Sequence, residues 1–590
     1  MKNYSRVCLQ WGLTMLFALV VFIFWNLKYP FVLSYQEQFQ LFLANGSYFR
    51  EALAVPGGLA RYLAEWFGQL YISFTAGAIV LAVAYALTQR LVWRLCCKVF
   101  QSEGNQPLTA YYPLTFLPSV LLWVLMGDES VLLAYGVSLV VCLAAMCVWP
   151  VTLRWQLPAA VVFIPLVYWI AGPMVLMVAV FAALRLLTVS KGRGALVGVA
   201  VILWALACIL LSAYVTPYST ERLLAGIGYY RLLATHPLLM ALIPLLCALL
   251  PFLLRILPAI RACKTRYVSF AAFTLLIVVA AIITVCQAYD PQKYELMEYD
   301  HLVRTKQWDA IVAKAEKKHP DLPMSVCANN LALAMKGQLG DRIFEFYQHG
   351  SEGLLPPFQK HFTSDQLTGE VAFYLGLVNT AQRLAMESME ALPDQRKSVR
   401  VVKRLAETNL INGQYDVARK YLKLLQQTMF YRDWARQMEA LLADEDKINV
   451  HPLYGWLRKS RLDNNFLYSE DEADKACGQL LMKNPENMMA VQYLLMMPLL
   501  DGDLDRFMQY DQVVNEQIEY HPRAVQEAVA FACMQARRPV PPGTVNPVVL
   551  RSLDGFMRAW QDGPQTTALD AYKNTVWYYL TVGQSNIQRR

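Results

Sequence analysis

Charge and catalytic motifs are what this chain has least of. Only 17% of its residues are charged, against 56% hydrophobic. It contains no G-x-x-x-x-G-K-S/T, no H-E-x-x-H and no G-x-S-x-G, which argues against ATP-driven transport, zinc proteolysis and serine hydrolysis. Of twelve cysteines, only Cys327, Cys477 and Cys533 lie beyond residue 288. They are odd in number and without C-x-x-C spacing, so neither a disulfide framework nor a structural zinc site is expected there. The long apolar runs of residues 1–288 have almost no ionisable residues in their interiors. Proton pumps and ion-coupled carriers need acids or bases at membrane depth, so that class is disfavoured.

What is present divides at about residue 288. Before it come successive apolar runs; after it no run is long enough to cross a bilayer. The first part holds 18 Lys and Arg against 7 Asp and Glu, a net charge of +11, and the remainder carries −3. The basic excess therefore sits in short loops between apolar runs, which argues against nucleic acid as a partner.

A hydrocarbon core about 30 Å thick takes roughly 20 residues of apolar helix. On that measure about nine spans are predicted, near 10–28, 70–90, 111–127, 131–149, 157–171, 173–188, 195–215, 237–257 and 268–288. The fifth and sixth are short and meet at Ala171-Gly172-Pro173, so a tight hairpin and a partly re-entrant segment both stay open. A cytoplasmic N-terminus places thirteen Lys and Arg, among them Arg90, Arg94, Lys98, Arg185, Arg255 and Arg261, on the inner side. The outer side receives five: Lys28, Arg50, Arg61, Arg222 and Arg231. The positive-inside bias then puts everything after Tyr289 outside the cytoplasm. Asn26-Leu27-Lys28-Tyr29-Pro30 after the first run is no small-residue cleavage site, so an uncleaved first span is expected.

From Asp290 onward the pattern is helical, with periods of three and four and short turns. Its clearest segment is Arg404 to Ala418, where Gly413, Tyr415 and Ala418 are followed by Tyr421, Leu422 and Leu425. Glycine, then an aromatic, then alanine resembles the tetratricopeptide pattern, in which small residues let two antiparallel helices approach. Looser copies follow Gly337 and Gly502 and surround Trp308 to Ala315. The expected fold is all-α: a polytopic transmembrane domain over 1–288, then a soluble α-solenoid of degenerate helix pairs over 289–590. A non-repetitive helical domain is the alternative. Such arrays mostly bind peptides or proteins.

The first external loop, 29–69, is the most suggestive segment. Tyr35, Phe39, Phe42, Leu43, Phe49 and Leu53 fall on one helical face, with Glu37, Gln40, Ser47 and Glu51 broadly opposite. This predicts an interfacial amphipathic helix with its apolar side toward lipid, broken at Pro56-Gly57-Gly58. The second loop is Gly127-Asp128-Glu129-Ser130, and the third, Tyr214 to Pro237, carries four tyrosines with Glu221, Arg222 and Arg231.

Together these loops resemble those of GT-C-type glycosyltransferases, which take sugars from polyprenyl-phosphate carriers. The resemblance implies Glu37 as catalytic base and Asp128 or Glu129 as a second acid for a divalent metal or the acceptor. Arg222 and Arg231 would meet the carrier phosphate, which suits guanidinium geometry. Read from the residues alone, Glu37 is equally a solvated face, Asp128-Glu129 an acidic helix start, and Arg222 and Arg231 snorkelling side chains. Over its full length the chain is similar to an uncharacterised family of multispanning proteins from Bacteroidetes-type bacteria. That likeness implies an inner membrane and a periplasmic C-terminal domain. Two functions therefore stand side by side: a membrane-anchored scaffold for envelope assembly that binds an envelope protein or peptide, and a GT-C-like transferase. The sugar, acceptor, metal and oligomeric state are not legible.

Overall fold

A computed structural model of the chain describes residues 2–101, 109–150, 153–232, 236–256, 263–358, 362–394, 396–463, 472–515, 519–561, 563 and 567–583. Arg261 lies outside the described residues. Every regular element among them is helical, and the only extended pairing there is in isolated bridges such as Val131 with Tyr230. The chain forms two compact units. The first comprises Met1–Tyr294 with two later segments, Leu392–Val399 and Gln427–Arg432; the second comprises the rest.

In the first unit six helical stretches are long and apolar enough to cross a membrane: Val7–Lys28, Phe74–Phe100, Trp155–Thr188, Gly194–Ser212, Leu239–Ile256 and Tyr267–Ala288. Ala110–Met126 and Leu133–Val148 are shorter apolar helices. Leu16, Leu19 and Ile23 on the first stretch and Leu275, Leu276 and Ile282 on the last are exposed. A surface this apolar is stable against lipid rather than water, so the protein is a membrane protein.

Two features explain how the long stretches are divided. Helix Leu153–Ala171 stops because Gly172 adopts a left-handed φ of 72° and Pro173 cannot continue the hydrogen-bond ladder. Helix Val175–Ser212 has 38 residues, about 57 Å if straight, far more than a bilayer. It is not straight. A Cβ on Gly198 would lie 3.0 Å from the Cα of Ala183, although fifteen helical residues span about 22 Å. The chain therefore doubles back between them, and the glycine and alanine allow the close crossing.

A buried polar cluster joins three of these helices. The Thr14 hydroxyl donates to the Gln89 side-chain oxygen (2.9 Å), Tyr112 donates to the carbonyl of Gln10 (2.8 Å), and the Gln89 amide donates to Thr115 (2.9 Å). In hydrocarbon such groups hold helices together because each would otherwise be unsatisfied. Near the same end the Arg90 guanidinium lies 3.9 Å from the Trp11 ring centre.

The second unit is built from helix pairs that share one turn. In each pair the first helix ends on a residue with positive φ: Lys306, Gly337, Gly376, Gly413, Gly502 and Arg537. At all six the same two hydrogen bonds close the helix. At Gly413 they run from Gly413 N–H to the Leu410 carbonyl (3.2 Å) and from Gln414 N–H to the Asn409 carbonyl (2.8 Å). The matching outer bonds are Gln307 to Leu302, Gln338 to Leu333, Leu377 to Ala372, Asp503 to Pro498 and Arg538 to Cys533. This is the Schellman cap, which satisfies carbonyls a helix end leaves open. At the first five the next helix begins two residues later, at Trp308, Leu339, Val378, Tyr415 and Leu504. Contacts distant in sequence also occur inside this unit. Asp341 accepts from Tyr520 (3.0 Å) and from the Arg523 N–H (2.9 Å), and Tyr579 donates to the Leu500 carbonyl (2.9 Å).

Candidate functional site

The loop residues singled out above all belong to the first unit. Residues 29–69 do not form one amphipathic helix. Pro30–Glu37, Gly46–Leu53 and Gly58–Gly68 are separate helices. Asn45 starts the second by accepting from the Tyr48 N–H (2.7 Å), the role expected of an N-cap asparagine. Tyr35, Phe39 and Phe42 are buried in protein, and so are Gln36, Glu37 and Gln38 opposite them. Only the later part keeps an apolar residue in the open, Phe49. The helical spacing was read correctly in short pieces. The solvated polar face holds at Ser47 and Glu51, which are exposed, but not at Glu37, where both faces of the first helix are covered.

The acids and arginines gather at one end of the unit, joined through backbone. The Gln36 amide donates to the carbonyls of Glu129 (3.2 Å) and Val131 (2.9 Å). The Arg231 N–H donates to the Ser130 carbonyl (2.8 Å). The Tyr230 hydroxyl donates to Asp128 (2.9 Å), whose other oxygen accepts from the Ser130 N–H (2.9 Å). Burial and then the Asp128 charge raise the Tyr230 phenol well above its ordinary range. Glu129 pairs with Lys293 (3.2 Å). Glu37 accepts from Tyr431 (3.1 Å).

The two arginines differ sharply. Arg222 is buried and grips Asp394 with two guanidinium nitrogens, one at 2.9 Å, and also donates to the Tyr230 carbonyl (3.2 Å). Arg231 is equally buried, at 8% exposure, but its guanidinium faces rings: Phe39 at 4.3 Å and Tyr35 at 5.8 Å. Among the described residues no carboxylate lies within ion-pair distance of it. Neither arginine is a side chain reaching to an interface.

A third buried charge centre joins Arg61 and Glu65, an i,i+4 pair legible in the sequence, to Arg396, which is not. Glu65 accepts from Tyr48 and lies 3.8 Å from Arg61 and 3.7 Å from Arg396. Burial, then Glu65, raises the Tyr48 phenol. Arg396 can come in because Gly228 has no side chain, and a Cβ there would sit 2.4 Å from its guanidinium nitrogen. The cavity among Gln36, Phe39, Glu65, Gly228 and Arg396 is water-sized. Asp394, Arg396 and Tyr431 were missed because they come from segments far along the chain, where nothing local marks them.

The residues do not fit a divalent metal. Both oxygens of Asp128 accept from protein donors, and Glu129 is committed to Lys293. Among the described residues no group of three metal-ligating side chains exists.

A multispanning helical membrane unit with a charge-paired loop layer, and a second unit of capped helix pairs, define the class of protein. Residues 6–583 match the DUF6057 family of unknown function, and the chain belongs to that family. No curated protein and no solved structure matches it.

Proposed function

We propose that this is a nine-span protein of a bacterial inner membrane, with a cytoplasmic N-terminus, whose periplasmic tetratricopeptide-like array binds an envelope protein or peptide. The observation that carries the scaffold reading is the state of the loop acids. Asp128, Glu129 and Glu37 are each held by a donor within the protein. Groups that must gain and lose protons at a substrate need an open approach to it. The six repeated caps support an array of helix pairs. Nine crossings are supported by the loops near 29–69, 127–131, 171, 229–231 and 289–294. These bond one another at one end, as in Gly57 N–H to the Trp169 carbonyl (2.9 Å) and Tyr229 to the Ala171 carbonyl.

Crosslinking from the second unit in intact cells tests the scaffold: it recovers one specific envelope protein, and recovery of none removes the reading. A thiol-reactive probe that cannot cross the inner membrane tests the orientation. It labels a cysteine at the exposed position Val450 in cells with a permeable outer membrane.

A second reading, the GT-C-like transferase with a polyprenyl-phosphate donor, is favoured by one observation: Arg231 is a buried cation that faces rings rather than an acid. It requires that Glu37→Gln or Asp128→Asn abolish an envelope glycan at unchanged protein level. Full function in both substitutions removes it.

A further inference from the structure

The second unit contains a groove of about 630 Å³, within the roughly 300–1,000 Å³ of ligand pockets and with room for a few side chains. Its floor is the helix Met488–Asp501, on which Met488 is exposed while Val491, Leu495 and Met496 beneath it are packed into the core. Pro522 and Val525 form part of the wall. Met488 is 44% exposed and Tyr520 at the rim 64% exposed. Unbranched, polarisable methionines adapt to differently shaped apolar partners.

The polar lining is one-sided. Glu486 and Glu519 stand at the rim, and among the described residues neither has an ion-pair partner. The side-chain oxygen of Gln492, also in the lining, is buried and accepts no hydrogen bond. Basic residues close in sequence are already engaged elsewhere: Lys336 with Asp309 (2.6 Å), Lys483 with Asp463 (2.5 Å) and Arg523 with Glu527 (2.7 Å). Tyr520 donates to Asp341. What the groove offers an occupant is therefore apolar surface and hydrogen-bond acceptors with negative charge. With no sheet edge in the described residues to extend, recognition has to come from side chains entering the groove.

We propose that this groove is the binding site for an amphipathic protein segment that presents apolar side chains to Met488 and Tyr520 and a lysine or arginine to Glu486 and Glu519. The proposal deepens the scaffold reading and rests on it. It names where on the array the partner lies and what chemistry selects that partner.

The test uses the full chain in nanodiscs of zwitterionic phosphatidylcholine, with empty nanodiscs as the blank. The probes are two fluorescein-labelled twelve-residue peptides of leucine at helical spacing, one with lysine at the polar positions and one with glutamate. Fluorescence anisotropy is expected to show the lysine peptide binding about tenfold more tightly, with the margin shrinking as salt is raised. The double substitution Glu486→Lys and Glu519→Lys, on exposed residues, reverses the order of the peptides. Met488→Ser, at an exposed position, weakens both.

Equal affinity for the two peptides overturns the proposal. So does a lysine peptide that binds but ignores every groove substitution; the scaffold reading then survives and only this groove is lost. Failure of both peptides to bind, together with no crosslinked envelope protein, removes the proposal and the scaffold reading alike.

Discussion

Both units bury charge, and they manage it differently. In the second unit the charges form one continuous chain. Arg400 reaches Asp300 (2.7 Å) and Glu370 (3.4 Å), Arg404 reaches Glu370 (2.6 Å) and Glu407 (3.0 Å), and Tyr454 donates to Glu407 (3.1 Å). Arg404 also stacks on Phe373 at 3.6 Å. Burial pushes the Glu370 carboxyl up, but Arg404 and then Arg400 outweigh it and hold it below the usual carboxylate range. In the first unit the charges are separate: Arg222 with Asp394, Glu65 with Arg61 and Arg396, and Arg231 on rings. A linked network spreads each desolvation penalty over several partners. An isolated pair depends on one partner, and a cation on rings depends on none of opposite charge.

That contrast predicts a ranking. Glu370→Ala leaves two buried guanidinium groups without their shared acid and costs about 3–5 kcal/mol, read as loss of cooperative unfolding of the second unit. A loss below about 1 kcal/mol would show that the network is hydrated and the contrast illusory. Asp394→Ala strands Arg222 alone and costs about 3 kcal/mol, measured by thermal unfolding in detergent. The double substitution with Arg222→Leu recovers most of that loss, since removing both charges removes the penalty.

Arg231→Leu is expected to cost less, about 1 kcal/mol, the worth of a partly desolvated cation–ring contact. A cost equal to that of Asp394→Ala would mean an acid supports Arg231 after all. Acid titration separates the units further. Burial, then Arg304, lowers His301 in the second unit from 6.5 to about 4. Its folded form therefore resists protonation. Above pH 6.5 it has no effect, and as pH falls from 6.5 toward 4 the unfolded chain binds the proton first and stability drops. After discounting for its partial exposure the loss is about 1 kcal/mol. His301→Gln flattens the stability profile over that window, and an unchanged slope would assign the acid sensitivity elsewhere.

The smallest effects concern the caps. Gly413 has open space where a Cβ would go, so Gly413→Ala pays only for left-handed backbone, about 1 kcal/mol. Lys306→Gly and Arg537→Gly gain up to about the same amount at the matching turns, where φ is 58° and 52°. Opposite signs at equivalent positions in denaturant titration would mark the six turns as one repeated device. A gain at Gly413→Ala would dissolve it.

The turns also mark how far local reading reaches. Gly337, Gly413 and Gly502 stood out because glycine is the usual residue for that conformation. Lys306 and Arg537 take the same conformation and carry no such mark. In the loop layer the acids at 37, 128 and 129 and the arginines at 222 and 231 were singled out through a resemblance, and their loops are linked by bonds from Gln36 to Glu129 and from Arg231 N–H to Ser130. Their partners Asp394, Arg396 and Tyr431 were not legible, since ion pairs across 172 residues or more of chain leave no periodicity. Asn45, which heads a glycosylation-type triplet, caps a helix.

The sequence by itself determined that the regular structure of the described residues is helical and that apolar helices long enough to span a membrane are present, because hydrophobic runs and their periods are local properties of consecutive residues. It also fixed where several helix pairs turn, since few residues tolerate a left-handed backbone. Only the tertiary structure decided which charges neutralise which, that Glu37 is enclosed rather than solvated, and that a methionine-floored groove keeps its acids unpaired. Those outcomes depend on which distant segments are brought within a few ångströms, and Coulomb and hydrogen-bond energies act over that distance rather than along the chain.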